Sequence, residues 1–580
     1  MSAGPRLSRS LIGFEQPAVS ALSCLVLAGG IATLGIALYM VVLCYTPLPW
    51  SDGWTQIAIV AAGEKPFSLH WLWQQHNEHR LLIPKLLLGL DLELFQARQG
   101  FLLASIFATQ LLHFVLLSWS MRALGGWRGA MWRTGTGLAA FCLFCPTQWE
   151  NLTWGFQTCF VLPPLFASLS FVGLLLYWKT QDHGAWKFVL LSLAAALAAT
   201  VSMASGLVLL PLLALAALAL RLRWTVVSTY ALTAAAGFAL YFHGYTLPAQ
   251  KSDPVRALHV PAKVLSYVAT YFGSVWTAGH SWDGHNLEIA RYAGLCGMAI
   301  FLGLLLCVRG KLGQPAYTSQ MVLLALFCLG TALLTASGRI VYGDSQAFSS
   351  RYQGVALLFW FSLGCLALLA VGNLQRGGLL AMQLLLAFVL VRGATLAHLP
   401  QRDAREHAFQ QRAAAAALLS GIADREQIAQ TSSDPDYVLH LVPVMQEHHL
   451  SIFAEQGRVE LGQPLNAFAR MVDGSQCRGA LQSVSKIENG SEPGLRISGW
   501  AWDVNGRRPA VGIVTVADGS VVGIGAVGDW RPVLRFTHPY LNTSFVGFTA
   551  YAKLSSPGPV NVYAVLGDGA RACRIAEIQP

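Results

Sequence analysis

The residues VSALSCLVLAGGIATLGIALYMVVLCY (Val19–Tyr45) decide the fold class, because this long run contains no charged side chain. A transmembrane helix needs about 20 consecutive residues that are mainly apolar. The apolar core of a secretory signal peptide is shorter, about 7–15 residues, and is followed by a small-residue cleavage site. We therefore interpret this run as a retained membrane span.

The composition of the whole chain points the same way. Of its 580 residues, 54% are hydrophobic and 12% are charged, whereas soluble globular proteins contain roughly 25% charged residues. This excludes a cytosolic enzyme, a disordered chain and a secreted disulfide scaffold. The net charge of +10 comes from short basic clusters between apolar runs. Such clusters set topology in a membrane, so we predict no nucleic-acid partner.

Ten further apolar runs follow the first, which predicts about eleven spans. The eleven predicted spans lie near Val19–Tyr45, Phe101–Met121, Gly135–Cys145, Cys159–Trp178, Trp186–Ser202, Leu207–Leu220, Thr225–Phe242, Ile289–Val308, Ser319–Thr335, Val355–Val371 and Leu379–Ala397.

The basic residues predict how these spans are oriented. With a cytoplasmic N-terminus, every short loop on that side is basic, as the positive-inside rule requires. The residues concerned are Arg6, Arg9, Arg122, Arg128, Arg133, Lys179, Lys187, Arg221, Arg223, Arg309, Lys311 and Arg376. An odd number of spans then places the C-terminal part outside the cytoplasm. We predict a multi-pass protein of the bacterial inner membrane with a periplasmic C-terminal domain.

The chain divides into three predicted regions: a membrane domain (1–399), a helical extracytoplasmic linker (400–474) and a β-domain (475–580). In the last region the short β-rich runs Leu495–Val504, Val511–Val516, Phe545–Ala552 and Val560–Leu566 predict a small β-sandwich. Cys477 and Cys573 are the two cysteines of the tail. An oxidising compartment lets them pair; two separate thiols are the alternative.

Two polar clusters follow the first span on the predicted outer face. Asp52 lies between two tryptophans, where it serves either as a general base or as part of an interfacial aromatic belt. The second cluster is His76, Asn77, Glu78, His79 and Arg80, before an amphipathic stretch that suits an interfacial helix. Its spacing does not favour a divalent cation. Phosphate binding and an ordinary solvated loop are the other interpretations.

Two later clusters fall on the same face. Trp149, Glu150, Asn151, Trp154 and Gln157 alternate rings with amide and acid groups, as sugar sites do, although a tryptophan belt is the simpler interpretation. Arg339 and Arg351 lie on the side that the positive-inside rule leaves poor in arginine. Either they bind an anionic headgroup or a diphosphate, or they form a structural salt bridge to Asp344 or Glu78.

The order of these features resembles the glycosyltransferase C (GT-C) superfamily of polytopic enzymes that take sugars from polyprenyl-phosphate donors. HNEHR (His76–Arg80), QWENLTWGFQ (Gln148–Gln157) and SSRY (Ser349–Tyr352) are similar to motifs of bacterial membrane proteins of that kind. The resemblance covers roughly Val19–Ala397. It implies a polytopic helical bundle. Together with the β-rich runs of the tail, this predicts a mainly α fold, in which a helical membrane bundle carries a C-terminal extracytoplasmic β-sandwich. The tail's GWAWD (Gly499–Asp503) resembles β-domains of glycan-handling proteins, with its tryptophans as a sugar platform or as core.

The resemblance implies an inverting transfer of a sugar from a polyprenyl-phospho-sugar donor to a glycan, lipid or protein acceptor. Asp52 is the base that the resemblance implies. Glu78 is the alternative base, because the first outer loop of this chain has a single acid at the position where several members of the superfamily have a tandem pair of acids. Arg80, His79, Arg351 and Arg339 would hold the donor phosphate. His76 and Asn77, with the QWENLTWGFQ residues, would bind sugar. No cofactor is predicted with certainty. An O-antigen ligase or polymerase, a lipid-linked glycan transporter and a membrane anchor for a glycan-binding domain are the rival functions.

Overall fold

The structure, a computed structural model, describes residues 8–180, 183–247, 257–277, 284–308, 316–371, 376–454, 461–488, 493–554, 558–567 and 569–579. Arg6, Arg309 and Lys311, on which the topology prediction partly rests, lie outside these residues. The chain is mainly helical, at 68%, with a β-rich C-terminal domain.

The α-helices are numbered here in chain order within the described residues. They are α1 (Ser8–Leu43), α2 (Thr55–Ala61), α3 (Leu69–Trp73), α4 (Leu82–Phe95), α5 (Gly100–Ala123), α6 (Gly129–Phe144), α7 (Trp149–Thr153), α8 (Thr158–Thr180), α9 (Trp186–Thr200), α10 (Leu209–Ala219), α11 (Trp224–Phe242), α12 (Pro261–Gly273), α13 (Gly284–Val308), α14 (Ala316–Arg339), α15 (Gln353–Val371), α16 (Arg376–Leu396), α17 (His398–Leu419), α18 (Arg425–Ile428), α19 (Pro435–Glu447) and α20 (Pro532–Thr537).

Eight helical stretches of the described chain are long and apolar enough to cross a membrane. They are Pro17–Leu43, Gly100–Ala123, Gly155–Thr180, Trp224–Phe242, Gly284–Val308, Ala316–Tyr342, Ser350–Ala370 and Leu380–Leu419. The chain is thus a multi-pass membrane protein. The other three predicted spans fall on the shorter helices α6, α9 and α10, of 16, 15 and 11 residues. Helix length therefore supports eight of the eleven predicted spans.

The chain forms two compact units. The first comprises Met1–Val42, Leu69–Leu87 and Leu102–Gln401, and the second comprises Leu43–Ser68, Leu88–Phe101 and Arg402–Pro580. Two N-terminal segments thus belong with the C-terminal region, which the three regions predicted from the sequence did not anticipate.

Within the first unit, pairs of helices pack closely at glycine residues, which have no side chain to hold the two backbones apart. A Cβ atom at Gly30 of α1 would come within 2.1 Å of the Gly137 carbonyl oxygen of α6, and one at Gly137 would meet the Val26 carbonyl oxygen at 2.4 Å. Small residues let the backbones of membrane helices approach each other closely. The same occurs between α12 and α13, where Gly273 faces Ala290 and Gly294 faces Ala269. These contacts fix α12 close to the bundle helix α13.

The second unit contains the β-domain, whose strands form one sheet. Strands β1 (Gln75–His76) and β2 (His79–Arg80) belong to the first unit. The strands of the sheet are β3 (Arg470–Met471), β4 (Cys477–Ile487), β5 (Gly494–Asp503), β6 (Arg508–Pro509), β7 (Gly512–Ala517), β8 (Ser520–Trp530), β9 (Phe545–Lys553), β10 (Val560–Val565) and β11 (Arg571–Ile578). Their spatial order is β3-β11-β10-β7-β8-β9-β5-β4, with β6 paired to β5.

The predicted β-sandwich of two separate sheets is therefore wrong in its architecture. The single sheet curls until β11 contacts β4, and a disulfide joins Cys477 of β4 to Cys573 of β11 with a Cα–Cα distance of 6.2 Å. Curling lets one sheet bury its own inner face, which makes a second sheet unnecessary. Trp500 and Trp502 are buried in a small apolar cluster with Leu541 and Val546, which is separate from the inner-face cluster that contains Cys477 and Cys573.

Candidate functional site

A two-residue hairpin carries the HNEHR cluster in the first unit. Its strands, β1 (Gln75–His76) and β2 (His79–Arg80), are antiparallel, and His76 pairs with His79. Asn77 has a φ of 51°, a left-handed conformation that asparagine tolerates better than most residues. The amphipathic stretch after it forms α4. The hairpin therefore places Glu78 at its turn.

Arg80 anchors this hairpin. Its guanidinium donates to the carbonyl oxygens of Trp73 (2.6 Å), His243 (2.9 Å) and Tyr241 (3.4 Å). The Tyr241 hydroxyl donates to the Glu78 carbonyl oxygen at 3.2 Å. Only 5% of Arg80 is exposed. Its contacts thus attach the hairpin to the end of α11, and they leave a positive charge fixed there by carbonyl groups.

An open cleft of about 880 Å³ lies beside this guanidinium. Apolar and basic side chains share its wall, among them Leu69, Leu72, Trp73, Arg80, Leu82 and His243. Mixed lining of this kind suits a ligand with an apolar part and an anionic part.

Glu78 forms an ion pair with Arg339, which ends α14. Nη2 of Arg339 lies 2.7 Å from Oε1 of Glu78, and Nε2 of His79 lies 3.5 Å from the same oxygen. Of the interpretations given to Arg339, the salt bridge to Glu78 is thus present. Asp344 instead accepts hydrogen bonds from Ser266 and, at 3.1 Å, from Arg291.

Hydrogen bonds join the QWEN motif (Gln148–Asn151) to the SSRY motif (Ser349–Tyr352). One oxygen of the Glu150 carboxylate accepts hydrogen bonds from the Arg351 backbone N–H (2.8 Å) and from the Ser349 hydroxyl (3.3 Å). The Asn151 amide donates to the Arg351 carbonyl oxygen at 3.0 Å. A carboxylate at this place satisfies N–H groups that a helix start leaves unpaired. Glu150 therefore caps the helical stretch Ser350–Ala370 from another segment of the chain.

The remaining predicted sugar-binding residues lie mostly inside the first unit. Trp154 is 4% exposed, and Gln157 is fully buried. The Trp154 ring stacks on Phe156 at 5.8 Å, and Phe156 contacts His76 at 5.3 Å. Within the described residues, neither polar atom of the Gln157 side-chain amide has a hydrogen-bond partner. Trp149 is half-buried. Their sugar-binding roles stay predictions.

Three of the four predicted clusters therefore converge. His76 and Phe156 join the hairpin to QWENLTWGFQ, Glu78 and Arg339 join it to α14, and Glu150 joins QWEN to SSRY.

Tyr267, on α12, is also part of this site, although no local pattern distinguishes it from its neighbours in the sequence. Burial raises the pKa of its hydroxyl, while Arg339 and Arg351 act in the opposite direction. Both arginines thus lie within electrostatic range of one buried hydroxyl. Next to it, the Tyr352 ring stacks on Tyr271 at 5.3 Å.

Asp52 belongs to the second unit. It lies half-buried in the short 3-10 helix Ser51–Trp54. The Trp54 indole donates to the Thr431 carbonyl oxygen at 3.2 Å, and the Trp50 ring packs on His407 at 4.0 Å. The two tryptophans around Asp52 therefore pack against the C-terminal part of their own unit, which fixes the backbone that carries the acid.

The second unit also contains a buried acid that sequence reasoning missed. Asp91 of α4 is fully buried, and its carboxylate accepts hydrogen bonds from the Gln99 backbone N–H (3.2 Å) and the Gln56 amide (3.5 Å). Burial raises its pKa to about 6, against the opposing effect of both hydrogen bonds. The signal in the sequence was a pair of acids, Asp91 and Glu93, inside the apolar run LLLGLDLEL.

In the described part of the chain, no three His, Cys, Asp or Glu side chains are grouped so as to hold a metal ion. No protein-family model matches the chain, and no curated protein matches its sequence. The resemblance to the GT-C superfamily accordingly stays a prediction.

Proposed function

We propose that the protein is an inverting membrane glycosyltransferase that uses a polyprenyl-phospho-sugar donor. The observation that carries the proposal is the convergence of Glu78, Arg339 and Arg351 in the first unit, which also holds the cleft beside Arg80. Charged groups near a membrane are costly, and their clustering marks sites where ions or substrates are handled.

The donor has an apolar isoprenoid chain and an anionic phosphate. The cleft offers both chemistries, with Leu69, Leu72 and Trp73 for the chain and the fixed charge of Arg80 for the phosphate. Arg339 and Arg351 add guanidinium groups, whose planar donors suit phosphate oxygens, and His79 adds a ring nitrogen beside them. In the reaction these groups stabilise the charge that develops on the leaving phosphate.

An acceptor hydroxyl attacks the anomeric carbon of the sugar as the bond from that carbon to the phosphate oxygen breaks. The electron pair of that bond leaves with polyprenyl phosphate. The hydroxyl proton passes to a carboxylate, for which Asp52 is our first candidate. Glu78 is the second candidate. It ranks below Asp52 because one of its carboxylate oxygens already accepts a hydrogen bond from Arg339. The sugar would be oriented by His76 and Asn77 of the hairpin and by Trp149 of QWENLTWGFQ.

The orientation in the membrane completes the proposal. We place the N-terminus in the cytoplasm and the β-domain in the periplasm of a bacterial inner membrane. The disulfide between Cys477 and Cys573 supports this placement, because disulfides persist in oxidising compartments.

The test uses the full chain in nanodiscs with a panel of polyprenyl-phospho-sugars and candidate glycan acceptors. Release of free polyprenyl phosphate is compared between wild type, Asp52→Asn and Glu78→Gln. Glu93→Gln is the matched control, because Glu93 is an exposed acid on α4. We expect release by wild type and the control, and loss in Asp52→Asn.

Two other outcomes are informative. Release that survives Asp52→Asn but not Glu78→Gln moves the base to Glu78. If folded wild type releases nothing from any donor, the proposal fails, and a ligase acting on diphosphate-linked glycans or a transporter takes its place.

A further inference from the structure

A second candidate site lies in the β-domain, where the curled sheet meets itself. The disulfide between Cys477 and Cys573 joins β4 and β11, two strands that stand far apart in the order of the sheet. In the sequence an arginine follows each of these cysteines, as Arg478 and Arg574.

Strand geometry puts the two arginines on the same side of this seam. Successive side chains of a strand point to opposite faces. Both cysteines are buried on the inner face, whereas Arg478 and Arg574 are exposed. The disulfide thus brings together two strands that each carry an arginine on the outer face, and both arginines line the same cleft.

A cleft of about 420 Å³ opens between these strands. Its wall includes Arg478, Arg574 and the rings of Trp500, His538 and Tyr540. The volume lies within the range of small-ligand pockets, about 300–1,000 Å³. The cleft is therefore large enough for a small molecule or for a short segment of a polymer.

The rings of the cleft form a connected row. The Trp500 and His538 rings lie 4.8 Å apart, and His538 contacts Tyr540 edge-on at 5.7 Å. Trp500 is buried and supports the row from below, whereas 40% of Tyr540 is exposed. The row thus presents an aromatic surface that the core holds in place.

The charges of the cleft are available to an anion. The Arg478 guanidinium lies over the Tyr540 ring, 4.8 Å from its centroid. Arg574 donates to Asn561 and, at 3.2 Å, to Glu577. Both members of that ion pair are exposed, and exposed ion pairs contribute little free energy. An anionic ligand can therefore replace Glu577 at small cost.

We propose that this cleft binds an anionic carbohydrate, one whose sugars carry carboxylate or phosphate groups. A guanidinium pair recognises carboxylate or phosphate oxygens, and an exposed ring packs on the apolar face of a pyranose. An acidic peptide is the less favoured ligand, because it would use the arginines but not the aromatic row. The site lies in the second unit, and its proposed role does not depend on the activity proposed above.

The test measures equilibrium binding to the full chain in nanodiscs made of neutral lipid. The probes are a trigalacturonate, a neutral galactose trimer, mannose 6-phosphate and a hexaglutamate peptide. We expect the trigalacturonate or the sugar phosphate to bind, and the neutral trimer and the peptide to bind at least roughly tenfold more weakly. Carboxylate and phosphate ligands are distinguished by which of the two probes binds more tightly.

The variants Arg478→Gln and Arg574→Gln should each weaken binding about tenfold, because each removes a charge-assisted hydrogen bond. Lys486→Gln is the matched control: it removes one exposed positive charge from the same strand β4 and should leave binding unchanged. Equal binding of the neutral trimer, preference for the peptide, no binding of any probe, or equal loss in Lys486→Gln would each overturn the proposal.

Discussion

Oε1 of Glu78 lies 2.7 Å from Nη2 of Arg339, although 261 positions separate the two residues in the chain. The pair joins the hairpin to the end of α14, and about a quarter or less of either side chain is exposed. This ion pair holds the candidate site together and also supplies two of its charged groups.

Breaking this pair should cost stability. We expect Arg339→Gln to lower the free energy of unfolding by about 1.5–3 kcal/mol, the usual contribution of a charged hydrogen bond. Thermal unfolding in detergent measures the loss. The control is Arg425→Gln, because the Arg425–Asp436 pair is more exposed and should contribute less than about 1 kcal/mol. Equal melting temperatures of the two variants would contradict the expectation.

Substitution of Glu150 tests whether the QWEN motif stabilises the folded protein. Glu150→Ala removes the acceptor for the Arg351 N–H and the Ser349 hydroxyl, and loss of a helix cap costs about 1 kcal/mol. Glu150→Gln keeps an acceptor oxygen and should cost less. Melting temperatures should fall in the order wild type, Gln, Ala. A stable alanine variant with impaired sugar transfer would instead assign Glu150 to substrate binding.

Asp91 should make stability depend on pH. Its pKa is raised from 3.8 to about 6, so the folded protein retains a proton that the unfolded chain has already lost. Stability therefore falls as the pH rises from about 4 to about 6. A shift of about two pKa units corresponds to roughly 3 kcal/mol.

Asp91→Asn removes this dependence, because the amide cannot ionise and still accepts the Gln99 hydrogen bond. The variant should melt higher than wild type at pH 7.5 and equally at pH 4. Glu93→Gln, exposed on the same helix, is the control and should leave the pH profile unchanged. An Asp91→Asn protein that is less stable than wild type at pH 7.5 would refute the assignment.

The disulfide should stabilise the β-domain strongly. It closes a loop of 96 residues, for which chain entropy gives roughly 4–5 kcal/mol. Cys477→Ser with Cys573→Ser should therefore lower the unfolding transition of the β-domain, as should a reductant added to wild type. The reductant should leave the double variant unaffected. A wild-type transition that does not respond to reductant would show that the bond does not form.

The local pattern of polar and apolar residues was sufficient to predict secondary structure where a segment's environment follows from its own residues. All eleven predicted spans fall on helices, and the apolar runs around Ile497, Val514, Phe548 and Val562 became β5, β7, β9 and β10. The runs of β4, β8 and β11 escaped notice. β4 and β11 are interrupted by polar residues, and β8 contains three glycines, so none of them is as apolar a run as the four that stood out.

The candidate site could be predicted only as separate clusters. HNEHR, QWENLTWGFQ and SSRY stood out because polar residues interrupt apolar runs. Their partners did not, because a hydrogen bond between Glu150 and Arg351 leaves no trace in local periodicity. Tyr267 did not stand out for the same reason, because its burial depends on other segments of the chain. Asp91 was visible as an acid inside an apolar run, but its full burial and its hydrogen bonds to Gln56 and Gln99 appear only in the fold.

Local patterns of residues are sufficient to predict a helical membrane protein with a β-rich tail, because hydrophobic run length and strand alternation are local properties. Tertiary structure decided that the tail is one curled sheet, that Glu78 pairs with Arg339, and that Leu43–Ser68 and Leu88–Phe101 belong with the C-terminal unit. These features depend on contacts between segments that are far apart in the chain, by 96 residues at the disulfide and by 261 at the Glu78–Arg339 pair. Their free energy comes from burial and complementary charge in three dimensions, which no local window of the sequence contains.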